Sequence, residues 1–532
     1  MKFIQGNDRN QSVLFTDCLD QIVDFDNEVR LIDLFVEAID LKDYSFYIKD
    51  STEGRPQYNP KDLLKLFIYG YLNSIRSSRV LEKECKRNTE LMWLMKQLVP
   101  DHNTISNFRR DNPKAIRNVF RATVSMAKHF ELIGGALIAG DSTKLRAQNS
   151  KKNNFNQNKI ERHLEYIDNK LSEYTQAIEL ADGDTEKITE IKSSIKTQEA
   201  RKEKYNSLSQ QLKDTGETQI STSDPESRQI MTRNNISEVA YSVQTTVDAK
   251  HCIPIDYKVT NQNDAKGMYP MLRRAKVILQ SSDFTAIYDK GYHTSSEIKK
   301  GIDLGINILV AIPEVASNAP DKNYNVSHFT YSHEVDNFTC PEGQTLNTNG
   351  KWYTRFRTKT SSTKVKHYKT PACLTCPAFS QCTENKKGRC LERSEYAEYV
   401  EQNKRNIEAN YETYKRRQAI VEHPYGIIKR QWGFYYIMTK KGMKRASADV
   451  GFMFTAFNLR RIFNILDHNL LKDYLRSLGL YFFSHSTSYK PFFFHSSTSH
   501  FLIINFKSQY NQNLNSIYPI YLTSKKLFLG KC

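Results

Sequence analysis

The sequence predicts an α/β protein: a mixed-sheet core that follows an all-helical N-terminal region and is interrupted by two insertions. Three observations carry this expectation. Residues 1–130 place apolar side chains at helical spacing. Short apolar runs at 136–140 and 284–288 each end in an aspartate, as strands do where a sheet presents its ligands. Two stretches of different character break the core, a heptad-like one at 157–213 and a cysteine-rich one at 340–390. The boundaries expected are 1–130 (helical, DNA-binding), 131–320 (core, first part, with a hairpin at 155–215), 321–395 (basic, cysteine-rich), 396–470 (core helices) and 471–532 (a poorly ordered tail).

Charge narrows the partners. The 532 residues carry 77 Lys and Arg against 59 Asp and Glu, a net charge of +18. That excess favours a polyanion, nucleic acid ahead of a membrane surface. No run of 18 apolar residues exists, which excludes a membrane-crossing helix, and MKFIQGNDRNQS has no apolar leader stretch. The expectation is a cytoplasmic, nucleoid-associated protein. Five of the nine cysteines crowd into 340–390, which suits a metal better than disulfides in such a chain.

The elements follow in order. Asn59 is placed to cap a helix that opens at Pro60, with Leu63, Leu64, Phe67, Ile68, Tyr71 and Leu72 on one face. Residues 100–110, PDHNTISNFRR, read as a turn and a recognition helix, with small polar residues for base edges and Arg109 and Arg110 for phosphates. Ala136 to Gly140 is a strand ending at Asp141. Ile160, Leu164, Ile167, Leu171, Tyr174 and Ile178 trace an a/d seam, and a poorer return seam after 184 makes an antiparallel hairpin. Strands at 239–248 and 253–259, a helix at 268–280, a strand at 284–288 ending in Asp289, a helix at 295–304 and a strand at 306–312 complete the sheet. This order matches the ribonuclease H-like fold, in which the first and fourth strands are neighbours. Asp141 and Asp289 would then meet at one sheet edge.

A third carboxylate lies in a long helical stretch from about 396 to 432, which Pro424 is placed to kink. Glu422 sits there among basic residues, and Lys429 is two turns further, so both can face one groove. Three carboxylates around one point can hold two Mg2+ (or Mn2+) ions, the hard cations that oxygen ligands select.

At these residues the sequence resembles the DDE transposases of bacterial insertion sequences. The matching stretches begin with residues 58–110, then GDSTKLRAQNS, NNISEVAYSVQTTVDAKHCIPIDYKVTNQNDA, YDKGYHTSSEI and VEHPYGIIKRQWGF. The resemblance implies a catalytic triad of Asp141, Asp289 and Glu422. It also implies that the enzyme cleaves and joins element ends and target DNA, as a homo-oligomer on double-stranded DNA. Such enzymes often carry Tyr, Arg, Glu and Lys at set spacing. Here Glu422 and Lys429 match, while Tyr414 and Arg417 keep their mutual spacing one residue early, as phosphate-positioning candidates. A nuclease that cuts without joining, and an inactive DNA-binding remnant, stay open as alternatives.

Within the insertion, Cys373 and Cys376 form a Cys-x-x-Cys pair flanked by Cys340 and Cys382, a spacing that suits four-thiolate structural zinc, with Cys390 able to replace either flank. Between them Trp352, Tyr353 and Phe356 alternate with Arg355, Arg357 and neighbouring lysines, a ribbon suited to backbone contact and base stacking. Residues 480–532 lack stable periodicity and fall outside the resemblance.

Overall fold

The computed structural model describes residues 18–48, 56–181, 183–231, 236–314, 319–358, 361–439 and 441–486. The chain divides into two units, Met1–Gly479 and Leu480–Cys532, and in the second the described residues are the last turns of a helix, His468–Ser486. Of the tail expected to be poorly ordered, 471–532, the residues up to Ser486 belong to this helix and the rest lies outside the described residues.

The N-terminal region is helical, as its periodicity predicts. Helix α1 (Pro60–Leu72) starts at Asn59, whose side chain accepts the Lys61 amide at 2.9 Å, with proline at the first helical position. Helix α2 (His102–Asp111) is capped by Asp101, which accepts the amides of Asn103 and Thr104.

The main sheet is built on strand β1 (Leu137–Arg146). Its antiparallel neighbour is β2 (Ser237–Asp248), which pairs in turn with β3 (Ile253–Thr260) and with a short strand at Arg228–Met231. On its other side β1 runs parallel to β4 (Thr285–Tyr288), and β4 to β5 (Asn307–Val310). The approach to β1 is fixed by the buried Asp248 carboxylate, which accepts the amides of Gly134, Gly135 and Lys250 at 2.8–3.0 Å. Gly140 is needed because the Tyr288 ring of the next strand lies where a β-carbon would stand.

Side chains alternate across this sheet with period two. Ile138, Ala286, Tyr288, Ile308 and Val310 face the larger core. Ala139, Val247, Ile287 and Leu309 face the other way and meet Ile420 and Val421 of helix α3 (Arg417–Tyr425). The larger core is shared with the N-terminal helices through helix α4 (Met443–Ile465), which is buried on almost every side from Ala446 to Phe463. A helix apolar all round must be enclosed. It packs on α1, on the Pro113–His129 helix and on β3.

One buried ionic cluster locks this join. Asp449 of α4 is fully buried and accepts hydrogen bonds from the Tyr71 hydroxyl, from Arg109 and Arg76 at 3.4 Å each, and from the Met438 amide at 2.7 Å. Arg109 also donates to Tyr71 at 2.9 Å, and Arg76 to the Tyr436 carbonyl at 2.8 Å.

Two further pieces stand apart from the core. Helices Gln157–Leu180 and Thr185–Thr215 pack on each other, with Ile160, Leu208 and Leu212 buried against Phe155 and Ile220 at their base. Residues 330–394 form a second six-stranded sheet around Phe329, Phe338, Leu346, Tyr368 and Leu391.

Replacing Asp449 by alanine should strand two buried guanidinium groups. The expected loss is about 3–5 kcal/mol, measured as a lowered urea midpoint for the loss of near-ultraviolet circular dichroism.

Candidate active site

The apolar start of β1 carries the chain into the sheet, and Asp141 is the first acidic group after it. Its register partner on β2 is Thr245. On β4, Ile287 is opposite Ala139, so continuing the parallel register puts Asp289 beside Asp141. By the period-two rule Asp141, Thr245 and Asp289 share the face covered by α3. Burial pushes the Asp141 carboxyl up to about 6. That value already includes the Ser142 amide, 2.7 Å away, and Arg417, which lower it, and the nearby Asp289 and Asp264, which raise it. Asp289 caps a short helical turn, Lys290–Tyr292, by accepting the Gly291 amide at 2.9 Å.

Asp264 is a carboxylate that the sequence reading passes over. It follows β3 in a turn, NQND, and its composition signals nothing more than a turn. In the structure it pairs with Lys144 at 3.1 Å and accepts the Gln244 amide at 2.7 Å. The Tyr292 hydroxyl in turn donates to Gln244. The turn behind Asp289 is thereby tied to β1 and β2.

Helix α3 lays one row of side chains on β1. Arg417 stands 3.7 Å from the Asp141 carboxylate. Val421 is buried against the sheet. The Tyr425 hydroxyl donates to the Asp141 carbonyl at 3.3 Å, and Lys429 reaches the Thr143 hydroxyl at 3.1 Å and the Lys144 carbonyl at 3.3 Å. Tyr414 is hydrogen-bonded to Arg417; burial raises its phenol, Arg417 lowers it, and Asp289 raises it to a smaller extent. The shifted Tyr–Arg pair therefore reaches both aspartates.

Glu422 lies one residue round the helix from this row. It is exposed and accepts the Gln418 amide at 3.1 Å. Between Glu422 and Lys429, expected to face one groove, the helix changes form. Pro424 sits inside α3, lacks the amide its turn would use, and is followed by a wide π-helical turn, Gly426–Gln431. Seven residues across such a turn no longer complete two α-helical turns, and Lys429 turns to β1.

The expected DNA contacts divide. Arg109 is buried, 4% exposed, and holds Asp449, so it is a structural cation and not a phosphate ligand. Arg110 is exposed beside it and pairs with Asp111 at 2.6 Å. Trp352 is half exposed with the Lys366 ammonium 5.2 Å over its ring, and Phe356 is 74% exposed. Arg355 pairs with Glu392. Arg357 lies on the strand Tyr353–Thr358, and its side chain is outside those described.

Cys340, Cys373, Cys376 and Cys382 line one apolar cavity of about 30 Å3, with Phe329, Leu346 and Arg389. All are reduced. The Gln344 amide donates to the Cys340 sulfur at 3.3 Å. The Cys382 thiol is raised by burial, lowered by Arg389, and raised again by the other three cysteines. Cys390 is outside this set, its thiol directed at the Leu391 carbonyl. Among the described residues no three His, Cys, Asp or Glu side chains already group tightly enough to hold a metal ion.

Comparison with known proteins supplies the family. Residues 17–111 match a transposase domain, DUF772, and residues 339–463 match the transposase DDE domain. Among solved structures, the cryo-EM structure of a piggyBac transposase synaptic complex with hairpin DNA aligns over 94% of this chain and 86% of that one, at 9% identity and a TM-score of 0.25. No curated protein matches the chain. With a transposase domain at its N-terminal end and a DDE domain spanning the helix of Glu422, the chain is an insertion-sequence DDE transposase.

Proposed function

We propose that this transposase cuts element ends and joins them to target DNA through Asp141, Asp289 and Glu422. The observation that carries the reading is the shared sheet face. Asp141 lies within β1 and Asp289 directly follows the parallel neighbour β4, and the helix bearing Glu422 packs on that same face. The strand order β3-β2-β1-β4-β5, with β1 and β4 parallel, supports a ribonuclease H-like core.

The donor set fits Mg2+ or Mn2+, because it is all carboxylate oxygen and Asp141 is destabilised by its acidic neighbours. Bound there, such ions activate a hydroxyl nucleophile and stabilise the leaving oxygen of a phosphodiester. The chain's own cations complete the site. Arg417, oriented by Tyr414, and Lys429 bring positive charge to the row along β1, where non-bridging phosphate oxygens gain charge in the transition state. Double-stranded DNA, as element end and target, is the partner that the +18 charge and the exposed Trp352 and Phe356 support. Arg110, Arg355 and Arg357 are the remaining candidates for phosphate contact. Assembly as a homo-oligomer on that DNA, in the cytoplasm at the nucleoid, belongs to the same reading. No described helix is long and apolar enough to cross a membrane.

Asp141→Asn, Asp289→Asn and Glu422→Gln should each remove most cleavage of a labelled element end, by at least about 100-fold, while leaving its binding in gel shift. The unaltered protein with Mn2+ should also join the cut 3′ end to a second duplex. Cleavage without joining would favour the nuclease reading. A protein that binds ends and cuts none would favour the inactive one.

We also propose structural zinc at Cys340, Cys373, Cys376 and Cys382. The insertion has a small apolar core for its size, and a tetrahedral metal would draw the four thiols together across their cavity. Elemental analysis of freshly purified protein should find about one zinc per chain. Cys373→Ser with Cys376→Ser should lose it and expose the insertion to protease, whereas Cys390→Ser should keep it.

A further inference from the structure

The row that α3 lays on β1 contains one group that touches both strands at the level of Asp141. The Tyr425 hydroxyl bonds the Asp141 carbonyl at 3.3 Å and the Thr245 hydroxyl. Thr245 is the cross-strand partner of Asp141 and is 1% exposed. The Thr245 hydroxyl is itself 3.4 Å from that carbonyl, so the three groups form one closed set in which either hydroxyl donates to the other and the acceptor of that bond donates to the Asp141 carbonyl. The phenol is thus a strut of fixed length between helix and sheet. It stands three residues from Glu422 on the same helix, and the wide turn that follows offers weaker backbone restraint.

We infer that Tyr425 is a positioning residue for transposition, setting the depth and rotation of the Glu422 helix against the strand of Asp141. Glu422 itself is exposed, and its carboxylate accepts the Gln418 amide of its own helix. Apolar contacts from Ile420 and Val421 hold α3 on the sheet. Such contacts are non-directional and let a helix slide or roll, whereas two directed hydrogen bonds do not. A phenylalanine at 425 would keep the ring packing and lose only the strut. The inference rests on the assignment of Asp141 and Glu422 as the carboxylates of the reaction.

The experiment compares Tyr425→Phe and Thr245→Val with Asp141→Asn and Glu422→Gln in the full chain. Readouts are the single-turnover cleavage rate of a labelled element end, its dissociation constant, the half-saturating Mn2+ concentration and the melting temperature. Tyr425→Phe is expected to slow cleavage by about 10–100-fold, since a misplacement of about 1 Å costs up to that much. It should raise the half-saturating Mn2+ concentration several-fold, leave end binding within about two-fold, and keep a cooperative melt. Thr245→Val should show the same pattern more weakly, and the double variant should be no slower than Tyr425→Phe, because both remove one linkage. Wild-type rate and Mn2+ response in Tyr425→Phe, with the two carboxylate variants inactive, would overturn the strut while leaving the triad in place. Activity in either carboxylate variant would overturn the triad and the strut with it. Should Tyr425→Phe fail to fold, a slow Thr245→Val with altered Mn2+ response upholds the inference and a normal one overturns it.

Discussion

The architecture depends on Asp449. A carboxylate with no access to water is tolerable only when its charge is matched and its oxygens are hydrogen-bonded. Here two arginines, a phenol and a backbone amide do both. These partners come from α1, the loop after it, α2 and the segment before α4, so satisfying one charge fixes four pieces of chain relative to each other. The consequence reaches the sheet. The segment held by Arg76 through the Tyr436 carbonyl also pairs with the end of β1, where Ile437 donates to the Arg146 carbonyl at 2.7 Å and Arg146 to Tyr435 at 3.1 Å. The strand of Asp141 is therefore anchored at its far end by the cluster that joins the N-terminal helices to α4.

From that anchor the site is built by register. Antiparallel pairing with β2 and parallel pairing with β4 leave one parity of side chains on the face of α3, and Asp141 and Asp289 both have that parity. A slip of one residue in either strand would send its aspartate into the larger core among Ala286, Tyr288 and Ile308. The restraint against slipping is local. Tyr288 fills the space over Gly140, and the buried Gln244 amide links Asp264 on one side to Tyr292 on the other. The polar groups around the aspartates are in this sense part of the register.

Much of this was legible in the sequence where the signal is short-range. An apolar run that stops at an aspartate marks Asp141 and Asp289, Asn59-Pro60 marks the start of α1, and Cys-x-x-Cys marks the thiol cavity. Long-range pairing was not legible. Arg109 reads as a phosphate ligand because it follows small polar residues on an amphipathic helix, and nothing near it reveals a carboxylate 340 residues away. Asp264 reads as a turn residue for the same reason, since its partners Lys144 and Gln244 belong to other strands. The form of the helix between Glu422 and Lys429 was not legible either. Counting seven residues assumes 3.6 per turn, and the turn after Pro424 is wider. Cys390 could not be separated from the other cysteines by spacing, because only the folded insertion shows its thiol directed away from theirs.

The three carboxylates are not held alike, and the difference follows from what carries them. Asp141 belongs to a strand paired on both sides and Asp289 directly follows another, so backbone hydrogen bonds in and beside the sheet fix them closely. Glu422 belongs to a short helix that rests on the sheet through two aliphatic side chains and continues into a turn with longer hydrogen-bond spacing. A helix of this kind needs directed contacts to set its depth, and the row of Arg417, Tyr425 and Lys429 supplies them, the first two at Asp141 and the third at Thr143 and Lys144. The two cations at the ends of that row lie where phosphate would also compete for them. The neutral phenol between them does not exchange its partners for an anion so readily, because its bonds run to a backbone carbonyl and a buried hydroxyl. Contacts that substrate can recruit and a contact that it leaves alone thus alternate along one helix, which lets the cations engage DNA without releasing the helix from the strand of Asp141.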